Sequence, residues 1–289
     1  MKKKILITGA NGQLGNEIQK LAFIYPLLKF FPTDVDTLNL CNKRDIESFL
    51  HDNPIDYIVN CAAYTAVDKA EEDAGICYQI NRDAVQNIAE SAKAQTRIIH
   101  ISTDYVFEGT GKTPLKESDQ TNPQSVYGKS KLAGEQILMK IKPESIIIRT
   151  AWLYSSFGNN FVKTMIRLGK ERDSINVVND QVGTPTYAAD LAKVILDIIT
   201  WGEENNSFPA GIYHFSNEGI CSWYDFALKI HELAGIPAGK LHPIPTSEYP
   251  TKAKRPMYSV LDKTKIKSAF YLMIPEWRES LNKCIKLIN

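Results

Sequence analysis

Lys4-Ile5-Leu6-Ile7-Thr8-Gly9-Ala10-Asn11-Gly12-Gln13-Leu14-Gly15 decides the fold: a short apolar strand runs straight into a G-x-x-G-x-x-G turn. A glycine-rich heptad alone is weak evidence, because surface turns are also rich in glycine. Here it stands between a strand and a helical pattern over residues 13–22, the context in which the glycines have work to do. They permit a tight turn, a close approach of backbone to a pyrophosphate, and close packing of helix on strand. The helix that follows offers free N–H groups and the positive end of its dipole to phosphate. Gly9, Gly12, Gln13, Leu14 and Gly15 are therefore candidate dinucleotide contacts.

Outward from this stretch, short apolar runs alternate with amphipathic ones. Strands are expected at 29–31, ending just before Pro32, and at 57–61, 97–102 and 145–149. Helices are expected at 46–50, at 130–139, and at 73–94, where Ile76, Ile80, Ala84, Ile88 and Ala92 recur every four residues. Strand–helix alternation with nearly continuous apolar strands predicts an α/β fold, a doubly wound parallel sheet of Rossmann type covered on both faces. Beyond residue 150 the loops lengthen and proline and aromatic residues accumulate, with helices at 187–200 and 223–234 and a strand at 211–215. The expected division is a dinucleotide-binding domain over 1–150 and a second, smaller substrate-binding lobe over 151–289. Some elements at about 180–215 are expected to return to the first sheet.

Composition narrows the partners. The 289 residues carry a formal net charge of +1, so no overall field draws the chain to nucleic acid or to an anionic membrane. No run approaches the roughly 20 apolar residues that cross a bilayer, and Thr8-Gly9 interrupts the apolar run behind Lys2-Lys3-Lys4. The five cysteines are odd in number, irregularly spaced and without a C-x-x-C, which suggests neither a disulfide framework nor a zinc site. A reducing, cytoplasmic setting is the expectation.

Three further features point to chemistry. A dinucleotide site needs an acidic residue at the end of the second strand to hold the adenosine ribose, and Asp34 fits better than Asp36. With no arginine beside Asp34, NADH is expected to be accepted as well as NADPH. Thr103 ends the fourth strand, where its hydroxyl can meet a substrate carbonyl and stabilise developing charge. Tyr127 and Lys131 form Y-x-x-x-K, which on a helix places both side chains on one face. A ketone that accepts hydride becomes an alkoxide and needs a proton, which a tyrosine can supply. A nearby ammonium is expected to lower the phenol's pKa, and the rate to fall at high pH as the phenol ionises. Arg255, in a basic loop, has the fork of donors that suits a substrate phosphate.

The motifs GANGQLG (9–15), NCAAYTAVDKAE (60–71), STDYVF (102–107), YGKSKLAGE (127–135), RTAWLY (149–154), NNF (159–161), DQVGTPT (180–186) and PTSEYPTKAKRP (245–256) run through nearly the whole chain. In them the sequence resembles the dTDP-4-dehydrorhamnose reductases, extended short-chain dehydrogenase/reductases that complete dTDP-L-rhamnose synthesis. The resemblance implies cofactor contacts at Gly12, Gln13, Leu14, Asp34, Ala63, Tyr64 and Thr65, and catalysis by Thr103, Tyr127 and Lys131. It also implies sugar contacts at Asp104 and Trp152. Near the adenine the chain has Asn39-Leu40, where the family usually has Asp followed by an aliphatic or aromatic residue. Magnesium enters through the resemblance alone, since no carboxylate cluster in the sequence demands a metal. A nucleotide-sugar substrate and a homodimer are the partners considered. Two other readings stay open: an epimerase or dehydratase on the same scaffold, and a non-catalytic regulatory relative.

Overall fold

The structure, a computed structural model, describes residues 2–288. In chain order the first half runs β1 (Lys3–Thr8), α1 (Gln13–Lys20), β2 (Leu28–Thr33), α2 (Lys43–Asp52), β3 (Tyr57–Asn60), α3 (Val67–Ala70), α4 (Ala74–Tyr78), α5 (Ala84–Ser91), β4 (Arg97–Thr103), α6 (Val126–Ile141) and β5 (Ile146–Thr150). The second half runs β6 (Leu153–Tyr154), α7 (Phe161–Glu171), β7 (Ile175–Val178), β8 (Val182–Gly183), β9 (Thr186–Tyr187), α8 (Ala188–Asn205), β10 (Gly211–His214), β11 (Cys221–Ser222), α9 (Trp223–Leu233), β12 (Leu241–Ile244), α10 (Thr264–Phe270) and α11 (Trp277–Ile288).

A six-stranded sheet in the order β10-β5-β4-β3-β1-β2 forms the centre, every neighbouring pair parallel. Ile5, Leu6 and Ile7 of β1 are completely buried because the sheet is covered on both sides. Ile5 and Ile7 pack with Ile18 of α1 and with Leu191 and Ile195 of α8. Leu6 faces the other way, onto Ile46 of α2, Ile88 of α5 and Leu138 of α6. A strand buried on both faces has no polar side to alternate with, which is why KILIT reads as one apolar run.

Three expectations need correction. The second strand continues through Pro32 to Thr33, because β2 is the edge strand, where a missing N–H is tolerated. The helix carrying Tyr127 begins at Val126 rather than 130, since the Ser125 hydroxyl accepts from the Gly128 N–H at 3.1 Å and caps it. The long helix over 73–94 is interrupted by a π-helical turn at Gln79–Asp83. That turn rotates the inward face, so Cys77, Asn81, Ala84, Val85 and Ile88 are buried, while Ile76 is half exposed.

The second half is built in two directions. β10 adds to the sheet beside β5, and α8 lies on α1, so residues 188–214 belong spatially with the first half. α7, α9, α11 and the parallel pair β7–β12 enclose a separate core around Phe226 and Trp277. That core stands at the end of the sheet where β4 delivers Thr103.

Candidate active site

The turn after β1 is shaped by its glycines. Gly9 has φ +62°, and a Cβ there would lie 2.8 Å from the Ala62 backbone. A Cβ at Gly15 would lie 2.5 Å from the Gly9 carbonyl, so α1 can rest on the turn only with glycine at that place. Gly12 precedes α1 in extended conformation, and no side chain caps the first turn. Its N–H groups therefore face the space before the helix, as an anion requires. The Asp34 carboxylate closes the far side, accepting from the Asn11 N–H at 2.9 Å and the Val35 N–H at 2.8 Å.

Three cavities meet along this edge. The first, about 440 Å³, has Asp34, Asn39, Leu40 and Ala63 in its walls. It shares Gly9, Gly12, Cys61 and Ala63 with a second of about 510 Å³, lined also by Gln13, Leu14, Gly15 and Thr65 and by Thr103, Asp104, Tyr127, Lys131 and Trp152. A third, about 270 Å³, adjoins the second at Tyr105 and holds Arg255, Phe161 and Trp223. Of the expected contacts, Tyr64 stands apart from these walls. Its ring packs near Tyr127, its hydroxyl donates to Asp73 at 3.3 Å, and its N–H donates to Asn81 Oδ1 at 2.9 Å. The Asn39 Oδ1 accepts from the Cys41 N–H at 3.0 Å.

In the middle cavity Thr103 donates to Asp104 Oδ1 at 3.0 Å and accepts from the Tyr105 N–H at 3.2 Å. Burial raises the Asp104 carboxyl to about 6. Tyr127 sits in the first turn of α6, and Gly128 beside it lets the helix touch the turn after β4: a Cβ there would lie 2.3 Å from the Tyr105 carbonyl. Lys131 is 2% exposed, and burial lowers it to about 8. Its Nζ donates to the Ile101 carbonyl at 2.6 Å. The phenol does not behave as expected. Burial raises the Tyr127 pKa, the Thr103 hydroxyl only partly opposing it, while the Lys131 ammonium is turned to the backbone carbonyl.

Trp152 has a left-handed backbone, φ +48°, and its ring stacks on Trp223 with centroids 3.6 Å apart. A non-glycine residue in that region marks a constrained position beside the cleft. Arg255 donates to the Tyr105 hydroxyl at 2.9 Å and pairs with Asp68, bridging the two halves across the mouth.

Two residues that build this site have no role assigned from the sequence, Asn160 standing there only within the NNF motif. Buried Asn81 links Tyr64 on one side to Ser130 on the other, donating to its Oγ at 3.0 Å. Nothing in the sequence signals it, because the four-residue recurrence puts Ile76 and Ile80, not Cys77 and Asn81, on the inward face. Asn160 donates to Gln13 Oε1 at 3.0 Å and ties the loop after β6 to the cofactor turn. Among the described residues no group of three or more His, Cys, Asp or Glu is placed to hold a metal ion.

The family described as RmlD substrate binding domain matches residues 2–289. The chain belongs to that family. A dTDP-4-dehydrorhamnose reductase of Aggregatibacter actinomycetemcomitans is 42% identical over 286 residues, 96% of this chain and 97% of that protein. The crystal structure of a dTDP-4-dehydrorhamnose reductase from Clostridium acetobutylicum is 48% identical, covers 99% of both chains and superposes with TM-score 0.92. A Bacillus anthracis dTDP-4-dehydrorhamnose reductase, solved in complex with NADP, is 39% identical over 99% of each chain, again at 0.92. The RmlD match extends over the sheet and the second core alike, so both halves of the cleft are family features rather than a dinucleotide fold with an unrelated appendage.

Proposed function

We propose that the chain reduces the 4-keto group of dTDP-4-dehydro-L-rhamnose to give dTDP-L-rhamnose, using NADPH or NADH. The observation that carries this reading is a single cleft. It runs from the uncapped turn at Gly12, past Thr103, Tyr127 and Lys131, to Arg255, in a chain whose relatives of that name match over nearly their full length. The wall fits a dinucleotide at three points: free N–H groups at the turn, a carboxylate at Asp34, and a lysine opposite. In this reading the sheet, with residues 188–214, carries the cofactor, and the lobe around Phe226 and Trp277 carries the nucleotide-sugar.

A nicotinamide dinucleotide bound along that wall supplies hydride. The chain's own residues do the rest. Thr103 donates to the substrate oxygen as negative charge grows on it, and Tyr127 delivers the proton that leaves an alcohol. Lys131 holds the cofactor ribose, and the stacked Trp152 and Trp223 offer an apolar face to a deoxy-sugar. Arg255 grips the diphosphate through charge-assisted bonds.

The test is oxidation of NADPH, and separately NADH, by the pure protein with dTDP-4-dehydro-L-rhamnose generated in situ. Stoichiometric oxidation with formation of dTDP-L-rhamnose is expected. No turnover with either cofactor would refute the reading. An epimerase or dehydratase of the same fold would instead change the sugar with no net cofactor oxidation.

A further inference from the structure

A loop of the second half is wrapped onto one face of α1. Gln13, Glu17 and Lys20, spaced at i, i+4 and i+7, meet residues 155–160. Glu17 accepts from the Ser155 hydroxyl at 2.6 Å, and the Lys20 ammonium lies 5.4 Å from the centre of the Phe157 ring. A Cβ at Gly158, which has φ +62°, would lie 3.1 Å from Gln13 Cγ, so the loop rests on the stem of that side chain. The loop is also held from within. Asn160 Nδ2 donates to the Ser155 carbonyl at 2.7 Å and to the Phe157 carbonyl at 3.3 Å. Lys163 Nζ donates to the Ser156 carbonyl at 3.0 Å and to the Gly158 carbonyl at 2.9 Å. Four successive carbonyls are thus engaged, and what the loop presents to α1 is fixed.

We propose that Asn160 is a positioning residue that turns the Gln13 amide so that its Nε2 donates to a phosphate oxygen of the bound dinucleotide. The orientation is set by a backbone N–H, which can only donate. Asn160 caps α7, its Oδ1 accepting from the Lys163 N–H at 3.1 Å. The oxygen is thereby committed to the helix, and Nδ2 is the end that reaches Gln13, at 3.0 Å. Its two hydrogens serve three oxygens, those of Ser155, Phe157 and Gln13. An amide nitrogen donates and does not accept, so Gln13 meets it with Oε1 and keeps Nε2 for the cavity that both residues line. With the Gln13 amide reversed, two N–H donors would face each other and a carbonyl dipole would point at the phosphates. Gln13 is the first residue of α1, beside the backbone N–H groups of the uncapped turn. Its Nε2 therefore adds a side-chain donor to the backbone donors already aimed at an anion there.

The inference rests on reading the turn after β1 as the dinucleotide site, and its test uses neither the sugar nor turnover. The Kd for NADPH is measured by fluorescence titration in wild type, Gln13→Met, Asn160→Asp and the double variant. Methionine keeps the length of the side chain and removes the donor. Aspartate still caps α7 but offers Gln13 only an acceptor, so the amide is expected to turn over and present Oε1 to the phosphates. Each single variant is expected to raise Kd about ten- to a hundredfold, the worth of one hydrogen bond to a charged group. An added charge or a loosened loop would weaken binding equally whatever stands at position 13, whereas reorientation needs an amide there. Asn160→Asp is therefore expected to cost about fivefold less, or better, in the methionine background than in wild type. Equal cost in the two backgrounds overturns the proposal, as does a Gln13→Met protein that binds NADPH like wild type. A wild type that binds no NADPH refutes the reading of the turn, and this inference with it. If the aspartate variant does not fold, the Gln13 side-chain amide signals of the wild type decide, assigned by their absence in Gln13→Met. A downfield move of one Nε2 proton on NADPH binding supports the proposal; signals unmoved or moved upfield overturn it.

Discussion

Tyr127 and Lys131 sit four residues apart on one helix, yet burial moves their pKa values in opposite directions. The phenol is raised, so it remains a protonated acid through the physiological range, while the ammonium is lowered to about 8. The sign for activity follows. Lys131 is charged below about pH 8 and loses its charge above it, so cofactor affinity and kcat/KM are expected to fall as pH rises through that value. Tyrosine ionisation contributes nothing to that limb. Tyr127→Phe removes only a hydroxyl; the single-turnover rate is expected to drop about 10²–10⁴-fold, the usual worth of a positioned acid, with NADPH affinity retained. A variant that binds NADPH and reduces the ketone at wild-type speed would remove Tyr127 from the mechanism. The pairing of these two residues was legible because Y-x-x-x-K places both on one helix face. The direction of the phenol's shift was not. It depends on how deeply α6 sinks beside β4 and on the Ile101 carbonyl that claims the ammonium, and neither is written in a four-residue spacing.

At the scale of elements, the strands were legible because both faces of the sheet are covered and each strand becomes a run of buried aliphatic residues. The interruption at Gln79–Asp83 was not legible, since the four-residue recurrence from Ile76 to Ala92 continues through it as though the helix were regular. The deciding residue is Asn81, which is buried to hold Tyr64 and Ser130 rather than to fill the core. The join between β1 and α1 yields a sharper expectation. A methyl at Gly15 meets the Gly9 carbonyl at 2.5 Å and the Ala10 backbone at 2.6 Å, whereas one at Gly12 meets only the Gly9 carbonyl, at 3.2 Å. Gly15→Ala is therefore expected to cost about 1–3 kcal/mol in urea unfolding, the usual penalty of overpacking, and to weaken NADPH binding as α1 tilts off the turn. Gly12→Ala should leave unfolding nearly unchanged. Equal stability of the two proteins would contradict the packing argument.

Across the whole molecule, the two halves meet through side chains that sequence could not pair. Glu17 of α1 accepts from the Ser155 hydroxyl at 2.6 Å, and Asn160 reaches Gln13, joining the second half to the cofactor turn. On the other side of the cleft, Arg255 pairs with Asp68, and Lys252 with Glu72. Such contacts span more than 130 positions and carry no periodicity, which is why the first half was readable in detail and the second mainly through motifs. Arg255 is the member of this bridge that also lines the cavity holding Phe161 and Trp223. Its side chain is about one-quarter exposed, and Asp68 and Tyr105 together take two of its five donors. Donors remain for a diphosphate entering between the lobes. Arg255→Ala should then raise KM for the nucleotide-sugar about ten- to a hundredfold, as loss of a charge-assisted bond would, while the Kd for NADPH at the Gly12 turn stays as it was. Arg255→Lys keeps the charge but loses the fork and should fall between the two. Steady-state kinetics with the nucleotide-sugar and fluorescence titration with NADPH separate these effects. If KM is unchanged in the alanine variant while thermal stability falls, Arg255 serves only as the strut between the lobes, and the diphosphate is held elsewhere.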